Sequence, residues 1–525
     1  MCQVEEDYRG EMERAAVPSV SKKCVKCKEA PAALVIRAGD AYCRLCFKDF
    51  FTHKFKAVLG KNRIIFPGEK VLLAVSGGPS SCSMLRQVQE GLSQKANKKL
   101  RFVPGIAFID EGAAIGQSVE ERQRTVAELQ AVFEATGFPF FILPLEQVLD
   151  LPASVVATNP APSEQPAGAY KAAVDRFVET DGSSFPTPQE PKETLLPHVQ
   201  QSHTLMLQQL LGSVKTLTAR EELLNTLRQH LLVHTARTEG YRKLMLGDSC
   251  TRLAVKLLTS ISLGRGAQLA QDTGFSDSRY GDVILVRPMR DYSAKEVAYY
   301  NHLFTVPCVV VPGVDTKTVE KASIQRLTES FVTKLQTDFP STVSTIYRTS
   351  EKLQTACRKR SGGDGCERCL LCVCSLDTAV EEASAFQATL ISDQLSGSKR
   401  GGAAETLRPK PGRPESPAPT AQCCSSAEGR GCGTPGSDAG CCSSAEGRGC
   451  GRPGGDGGCC SSAKLPETTR LQSLLCYSCA LTVRDMSTVD HLPQYILSEA
   501  QRRQRRSQMR EEISDFLLDD GDEGN

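Results

Sequence analysis

The chain has 525 residues, room for two or three domains, and its 63 basic and 61 acidic residues leave a net charge of +2. That balance is silent on nucleic acid, so any such contact has to come from local patches. No run of 18 apolar residues occurs, so no transmembrane helix and no membrane partner are expected. The 23 cysteines are odd in number and several sit in C-x-x-C pairs. Residues 1–20 are polar and acidic and lack the apolar stretch of a secretion leader. Metal ligation in a reducing compartment is therefore expected rather than disulfides.

In chain order, residues 1–20 are expected to be disordered. Cys24-x-x-Cys27 and Cys43-x-x-Cys46 follow, with fifteen residues between the pairs. This spacing predicts a four-thiolate zinc site: each C-x-x-C turn supplies two sulfurs, and an intervening hairpin folds one turn over the other. Residues 21–60 are thus a zinc ribbon with a linking helix, whose apolar stripe is Phe50, Phe51, Phe55, Val58 and Leu59. Lys22, Lys23, Lys26 and Lys28 surround the first pair; a solvated face is the default reading and a phosphate-contacting face the alternative.

The central stretch is Val71-Leu72-Leu73-Ala74-Val75-Ser76-Gly77-Gly78-Pro79-Ser80-Ser81. It predicts a buried strand, a small-residue loop and a helix start, with Met84, Leu85, Val88 and Leu92 at helical spacing. Such a loop aims N–H groups at an anion, and the helix dipole favours a phosphate there. Further strands are predicted at 102–109, 140–145, 243–246 and 283–286. Helices alternate with them, opened by capping boxes at Ser118–Glu121, Thr218–Glu221 and Ser293–Glu296. This order implies a doubly wound α/β core with a parallel sheet over 61–360, carrying a flexible insertion at 151–210. A ligand belongs beyond the carboxyl ends of the strands, where Ser76-Gly77-Gly78, Asp110, Gly247 and Asp248 fall. Residues 321–357 are expected to be helical, interrupted at Pro340.

Cys366, Cys369, Cys372 and Cys374 crowd together, and Cys476-x-x-Cys479 follows far downstream. Cys369, Cys372, Cys476 and Cys479 are expected to close a second zinc site from 361–380 plus 470–500, with Cys366 and Cys374 as rival ligands. The long separation is no objection, because loop-closure entropy grows only with the logarithm of length. Between them, 381–469 holds a Cys-Cys-Ser-Ser-Ala repeat starting at Cys423, Cys441 and Cys459, too poor in apolar residues to build a core and so expected to be disordered. Residues 501–525 form a charged tail that includes Arg502, Arg503, Arg505 and Arg506. A solvated helix face is the default reading of that run, and an RNA contact is the alternative.

Ser76-Gly77-Gly78-x-x-Ser81 after a strand resembles the PP-loop of the ATP pyrophosphatase family, an adenine nucleotide alpha hydrolase-like fold. With Cys24-Val-Lys-Cys27, Gly247-Asp248-Ser249-Cys250 and Arg287-Pro288-Met289-Arg290-Asp291, the chain is similar to the tRNA 2-thiolation branch of that family. The resemblance implies a zinc ribbon, a PP-loop core and a C-terminal zinc site. It implies ATP-dependent adenylation of a wobble uridine in the Lys, Glu and Gln tRNAs, followed by sulfur transfer from a thiocarboxylated ubiquitin-like carrier. It further implies a cytoplasmic heterodimer with a sister PP-loop subunit. Residues carried over as nucleotide-binding-like are Ser76, Gly77, Gly78, Ser80, Ser81, Asp110, Gly247 and Asp248. The departures are specific. Ser80 stands where the family has Asp. Residues 214–219 and Gln271-Asp272 occupy the places of the sulfur-handling cysteines, and none of them is a thiol. The expectation is a non-catalytic subunit, with ATP bound more readily by the partner. An active thiolase in its own right and a zinc-ribbon RNA-binding scaffold are the alternatives.

Overall fold

The computed structural model describes residues 23–36, 40–96, 98–157, 169–179, 197, 199–316, 318–319, 321–350, 368–376 and 471–514. The expectations for 1–20 and 381–469, and for Cys366, lie outside these residues.

A small hairpin, β1 (Leu34–Val35) and β2 (Ala41–Tyr42), leads into α1 (Arg44–Asn62). The core then runs β3 (Lys70–Ala74), α2 (Pro79–Leu92), β4 (Val103–Asp110), α3 (Val119–Glu134) and β5 (Phe140–Pro144). Next come α4 (Ala169–Glu179), α5 (Gln201–Ser213), α6 (Leu217–Thr238), β6 (Lys243–Leu246) and α7 (Cys250–Ser262). They are followed by α8 (Leu269–Thr273), β7 (Ser276–Tyr280), β8 (Val283–Val286) and α9 (Ala294–Phe304). Helices α10 (Ile324–Asp338), α11 (Pro340–Ser350), α12 (Tyr477–Arg484) and α13 (Gln494–Ser514) complete the described chain. Pro340 opens α11, at the one helical position where its missing N–H costs nothing.

The sheet has the order β5-β4-β3-β6-β8-β7 and is parallel except for β7. Its period-2 alternation sorts side chains onto two faces. Val71, Leu73, Ile106, Phe108, Met245 and Val286 point into one apolar cluster with Phe47, Phe51 and Phe55 of α1. Leu72, Ala107, Ile109, Leu244 and Leu285 point into the other, with Leu223, Leu224, Leu227 and Leu231 of α6. This is the doubly wound parallel sheet read from the sequence. The order of strand addition reverses at β3, with β4 and β5 on one side and the parallel β6 on the other, so the loops after the neighbouring strands β3 and β6 open a crevice at the switch point.

Two expectations need correcting. The stretch 151–210 is not all insertion: Leu151, Val155, Val156, Leu207 and Leu210 are buried in the main core. Their apolar spacing was masked by the polar composition around them. The Thr218–Glu221 capping box does not form. Thr216 caps α6 instead, accepting from Ala219 N, while Thr218 Oγ1 accepts from Ile324 N at 3.1 Å. Glu221 is left buried without its capping role, and burial raises its pKa to about 7 against a weaker pull from the Ser323 hydroxyl. The C-terminal segment packs into the body of the fold: Leu471, Leu475, Val483, Leu492, Tyr495 and Ile496 share the α6 core.

Candidate functional site

Three arrangements carry chemistry: two thiol clusters and the loop after β3. At the first cluster the backbone makes the ligand geometry. Lys28 takes a left-handed φ of 59° and donates its N–H to Cys24 O at 2.9 Å, closing the first knuckle. Val25 N donates to Ala41 O at 2.8 Å, which lays that knuckle on the β1–β2 hairpin. Cys43 is the N-cap of α1, and its sulfur accepts from Cys46 N at 3.5 Å. The Sγ atoms of Cys24, Cys27, Cys43 and Cys46 all lie within 4.8 Å of one another, with Cys27 and Cys43 4.0 Å apart.

At the second cluster, Cys369 N donates to Cys374 O at 2.7 Å and Val373, at a φ of 58°, donates to Cys369 O at 3.0 Å. Leu370 N donates to Leu474 O at 2.9 Å, which brings the downstream segment alongside. Cys369, Cys372, Cys374 and Cys476 then form the mutually close set, all within 4.8 Å. Cys372 Sγ lies 3.1 Å from Cys374 Sγ and 3.6 Å from Cys476 Sγ. Thus Cys374, read from the sequence as a rival, joins three of the expected ligands. Cys479 is buried beside them, 4.0 Å from an Arg265 guanidinium nitrogen. Thiol–thiol contacts, with Cys369 first, hold Cys476 down at about 4 and Cys372 well below the usual thiol value.

These spacings test what each cluster fits. A tetrahedral ion with metal–sulfur bonds of about 2.3 Å has sulfurs roughly 3.8 Å apart. Cys27–Cys43 at 4.0 Å and Cys372–Cys476 at 3.6 Å are close to that value, while Cys372–Cys374 at 3.1 Å is shorter; with all four sulfurs of each set within 4.8 Å, each donor set suits one four-coordinate, thiolate-preferring ion.

The loop after β3 is pinned from several sides. Gly77 has a φ of +79°, and a Cβ there would lie 3.0 Å from Val309 O and 3.1 Å from Val311. Val309 N donates to Gly77 O at 3.0 Å, so the irregular segment after α9 straps the loop. Asn301 Nδ2 donates to Pro79 O at 3.0 Å and its Oδ1 accepts from Ser83 at 2.5 Å. Ser81 Oγ donates to Gly78 O at 3.0 Å and lies 3.3 Å from Ser76 Oγ. Gly78 is the N-cap of α2 and offers no side-chain acceptor to the first-turn N–H groups. Ser76 is exposed, Ser80 half-buried and Ser81 buried. Gly247, after β6, packs so close that a Cβ would meet Ser81 Cα at 2.8 Å.

The predicted loop residues are therefore together, and Gly247 with them. Asp248 sits beside Arg287, 3.4 Å from its Nε. Asp110 is differently employed. Its carboxylate accepts from Arg122 Nε at 2.6 Å and Gly112 N at 3.0 Å, and Arg122 also grips Glu146 bidentately. A buried ion network near α8 had no signal in the sequence: Arg279 pairs with Asp272 and Asp277, and Arg287 reaches Asp277 as well as Asp248. Burial alone would lower the Arg279 pKa, but the two aspartates hold it well above the usual value. A cavity of about 250 Å³ lies between this network and the second cluster, lined by Arg265, Asp272, Arg279, Cys372, Cys374 and Cys476.

The chain covers residues 214–216 with its own C-terminal part. Val214 is fully buried and bridges to Met486, and Thr216 donates through both its N–H and its hydroxyl to Asp485 Oδ2.

Comparison with known proteins gives three findings. The family model described as cytoplasmic tRNA 2-thiolation protein 2 matches residues 323–481. Cytoplasmic tRNA 2-thiolation protein 2 of Danio rerio is 52% identical over 535 residues, spanning 99% of each chain, and that of Homo sapiens is 50% identical over 546 residues, spanning 100% of this chain and 99% of its own. Among solved structures, a U34-tRNA thiolase of Methanococcus maripaludis with its 4Fe–4S cluster is similar at a TM-score of 0.43 and 16% identity, over 65% of this chain and 92% of its own.

Proposed function

The chain belongs to the cytoplasmic tRNA 2-thiolation protein 2 family, and from that premise we propose that it is a non-catalytic subunit of a tRNA wobble-uridine 2-thiolation complex. A role in tRNA 2-thiolation and a cytoplasmic location come with the family. The finer reading is that the chain pairs with a sister PP-loop subunit that binds ATP and adenylates the uridine. Sulfur then comes from a thiocarboxylated ubiquitin-like carrier, and the Lys, Glu and Gln tRNAs are the substrates.

One observation carries the non-catalytic reading. Sulfur transfer needs a thiolate or a thiol-ligated cluster beside the nucleotide. Residues 214–219 and 271–272 contain no cysteine, Val214 is fully buried with its backbone bridged to Met486, and Asp272 is paired with Arg279. Of the thiols near the loop, Cys250 is buried and raised to about 11, and Cys82 is raised by its hydrogen bond to Cys308 and by burial. Ser80 in place of an acidic residue removes a carboxylate from the phosphate side of the loop.

In this reading both thiol clusters hold zinc, which the sulfur spacing supports. Zinc would fix the ribbon on α1 and the C-terminal segment on α6, a structural contribution with no open coordination position. Residues 21–60 are then a metal-stapled appendage of a PP-loop-like core, and the 368–376 segment with 471–500 is a metal-stapled part of that core.

A second reading, an active thiolase, is favoured by Cys308. It is exposed, its Sγ lies 3.4 Å from Asn301 Nδ2 beside the loop, and its hydrogen bond with Cys82 lowers its pKa. Depletion of the chain followed by nucleoside mass spectrometry of bulk tRNA tests the shared core of both. Loss of wobble 2-thiouridine, restored by the wild-type chain and by C308S, supports the non-catalytic subunit. Restoration by wild type but not C308S would favour the active thiolase, and unchanged 2-thiouridine would remove both.

A further inference from the structure

We propose that the outer half of α13 is a docking ridge for the sugar–phosphate backbone of tRNA, carried by Arg505 and Arg506 with Arg502 beside them. This rests on the reading of the chain as a tRNA-thiolation subunit, and it names residues that reading leaves unassigned.

The base of the helix is fixed. Tyr495, Ile496 and Ala500 are buried in the main core, and the Tyr495 hydroxyl is 2.7 Å from His230 Nδ1. Glu499, also buried, accepts from Arg502 and Arg503. Arg503 reaches on to Arg368 O at 2.5 Å and Val156 O at 3.1 Å, so this arginine is structural. From Arg505 to Ile513 every residue is exposed. The helix therefore leaves the body as a rigid, anchored arm rather than a loose tail.

Its charge is segregated. Positions 501–510 hold five arginines and no acid. Arg505 and Arg506 have no hydrogen bond or ion pair among the described residues. Arg502 with Arg505 and Arg506, and Arg506 with Arg510, stand at i,i+3 and i,i+4, where like charges weaken a helix. A ridge built only to be solvated would intersperse acids, which the chain does elsewhere: Arg86 pairs with Glu90 and Arg326 with Glu329. A polyanion removes the repulsion. The choice of arginine over lysine suits phosphate, since the planar fork can donate two parallel hydrogen bonds. From Arg502 to Arg510 the helix rises about 12 Å, the reach of a short run of consecutive phosphates. Such contacts position an RNA without reading its sequence.

The test is filter binding of an unmodified tRNA transcript to the full-length, metal-bearing protein over a salt series. The variants are R505Q/R506Q and R505K/R506K. Both residues are exposed and make no hydrogen bond or ion pair among the described residues, so far-UV circular dichroism and metal content should match wild type. Each lost phosphate contact lowers the slope of log affinity against log salt by roughly 0.7–0.9. The glutamine variant is expected to lose about 1.5 from the slope and roughly tenfold in low-salt affinity, equally for tRNAs of different sequence. The lysine variant keeps the slope. An unchanged slope and affinity in R505Q/R506Q would overturn the proposal, leaving the ridge solvated or neutralised by the acidic segment after Ser514. If the wild-type chain bound no tRNA, the proposal would fall with the direct-contact part of the thiolation reading; slope unchanged on real binding sinks the ridge alone.

Discussion

Replacing His230 by Phe should remove an acid-sensitive contribution to stability. His230 is fully buried on α6, with Nδ1 2.7 Å from Tyr495 Oη and Nε2 2.8 Å from Leu371 O. A neutral ring protonated on Nε2 satisfies both contacts: Nε2–H donates to the carbonyl and Nδ1 accepts from the hydroxyl. Burial lowers its pKa to about 4. The unfolded chain titrates near ~6.5. Between these values the unfolded state binds more protons than the folded one, so stability is complete above the upper value and falls as pH falls. The loss is about 2 kcal/mol at pH ~5 and levels off near ~3.4 kcal/mol below the folded value. At pH ~7.5, H230F leaves the Leu371 carbonyl and the Tyr495 hydroxyl unpaired, which costs roughly 2–3 kcal/mol. Urea unfolding of wild type and H230F at the two pH values measures both terms. The expected result is a large gap at the higher pH that shrinks by about 2 kcal/mol at the lower one. Thiolate protonation affects both proteins alike and cancels in the difference. An equal gap at both pH values would refute the reasoning.

Three further outcomes follow from the same geometry. C372A removes a sulfur common to every tetrahedron the second cluster can form, so metal analysis should show one ion fewer per chain. C374A and C479A should each keep the ion, because the other thiol stands close enough to take the fourth corner; loss in either single variant would contradict this. G247A drives a Cβ to 2.8 Å from Ser81 Cα, a backbone atom that cannot swing aside. It should lower the melting temperature, by an amount corresponding to roughly 1–3 kcal/mol, in a thermal scan, and an unchanged value would mean the two loops are not in contact.

The sheet was legible because its strands are short apolar runs bounded by turn residues, as at 71–75 and 243–246. Their buried faces leave little choice of side chain. Strand β7 was not, since Ser276-Asp277-Ser278-Arg279-Tyr280 carries no apolar alternation; its buried charges are satisfied by Asp272 and Arg287, which come from other elements. Capping boxes at Ser118 and Ser293 formed as read, the second while Glu296 also accepts from Lys54 Nζ at 2.8 Å through its other oxygen. The one at Thr218 lost to a cap two residues earlier, reinforced by Asp485 from the far end of the chain. The first thiol cluster follows directly from spacing. The second depends on how a long-range pairing folds, and spacing alone could not rank Cys374 against Cys479. Asp110 was placed correctly at a strand end, but its partner Arg122 shares no local motif with it.

The most direct test of the central claim is tRNA-dependent ATP–pyrophosphate exchange by the purified, metal-loaded chain, alone and mixed with the sister subunit. Exchange by the mixture only, undiminished by S76A/S81A substitution in this chain, is the predicted result. Exchange by the chain alone, abolished by that substitution, would mean that it adenylates uridine itself.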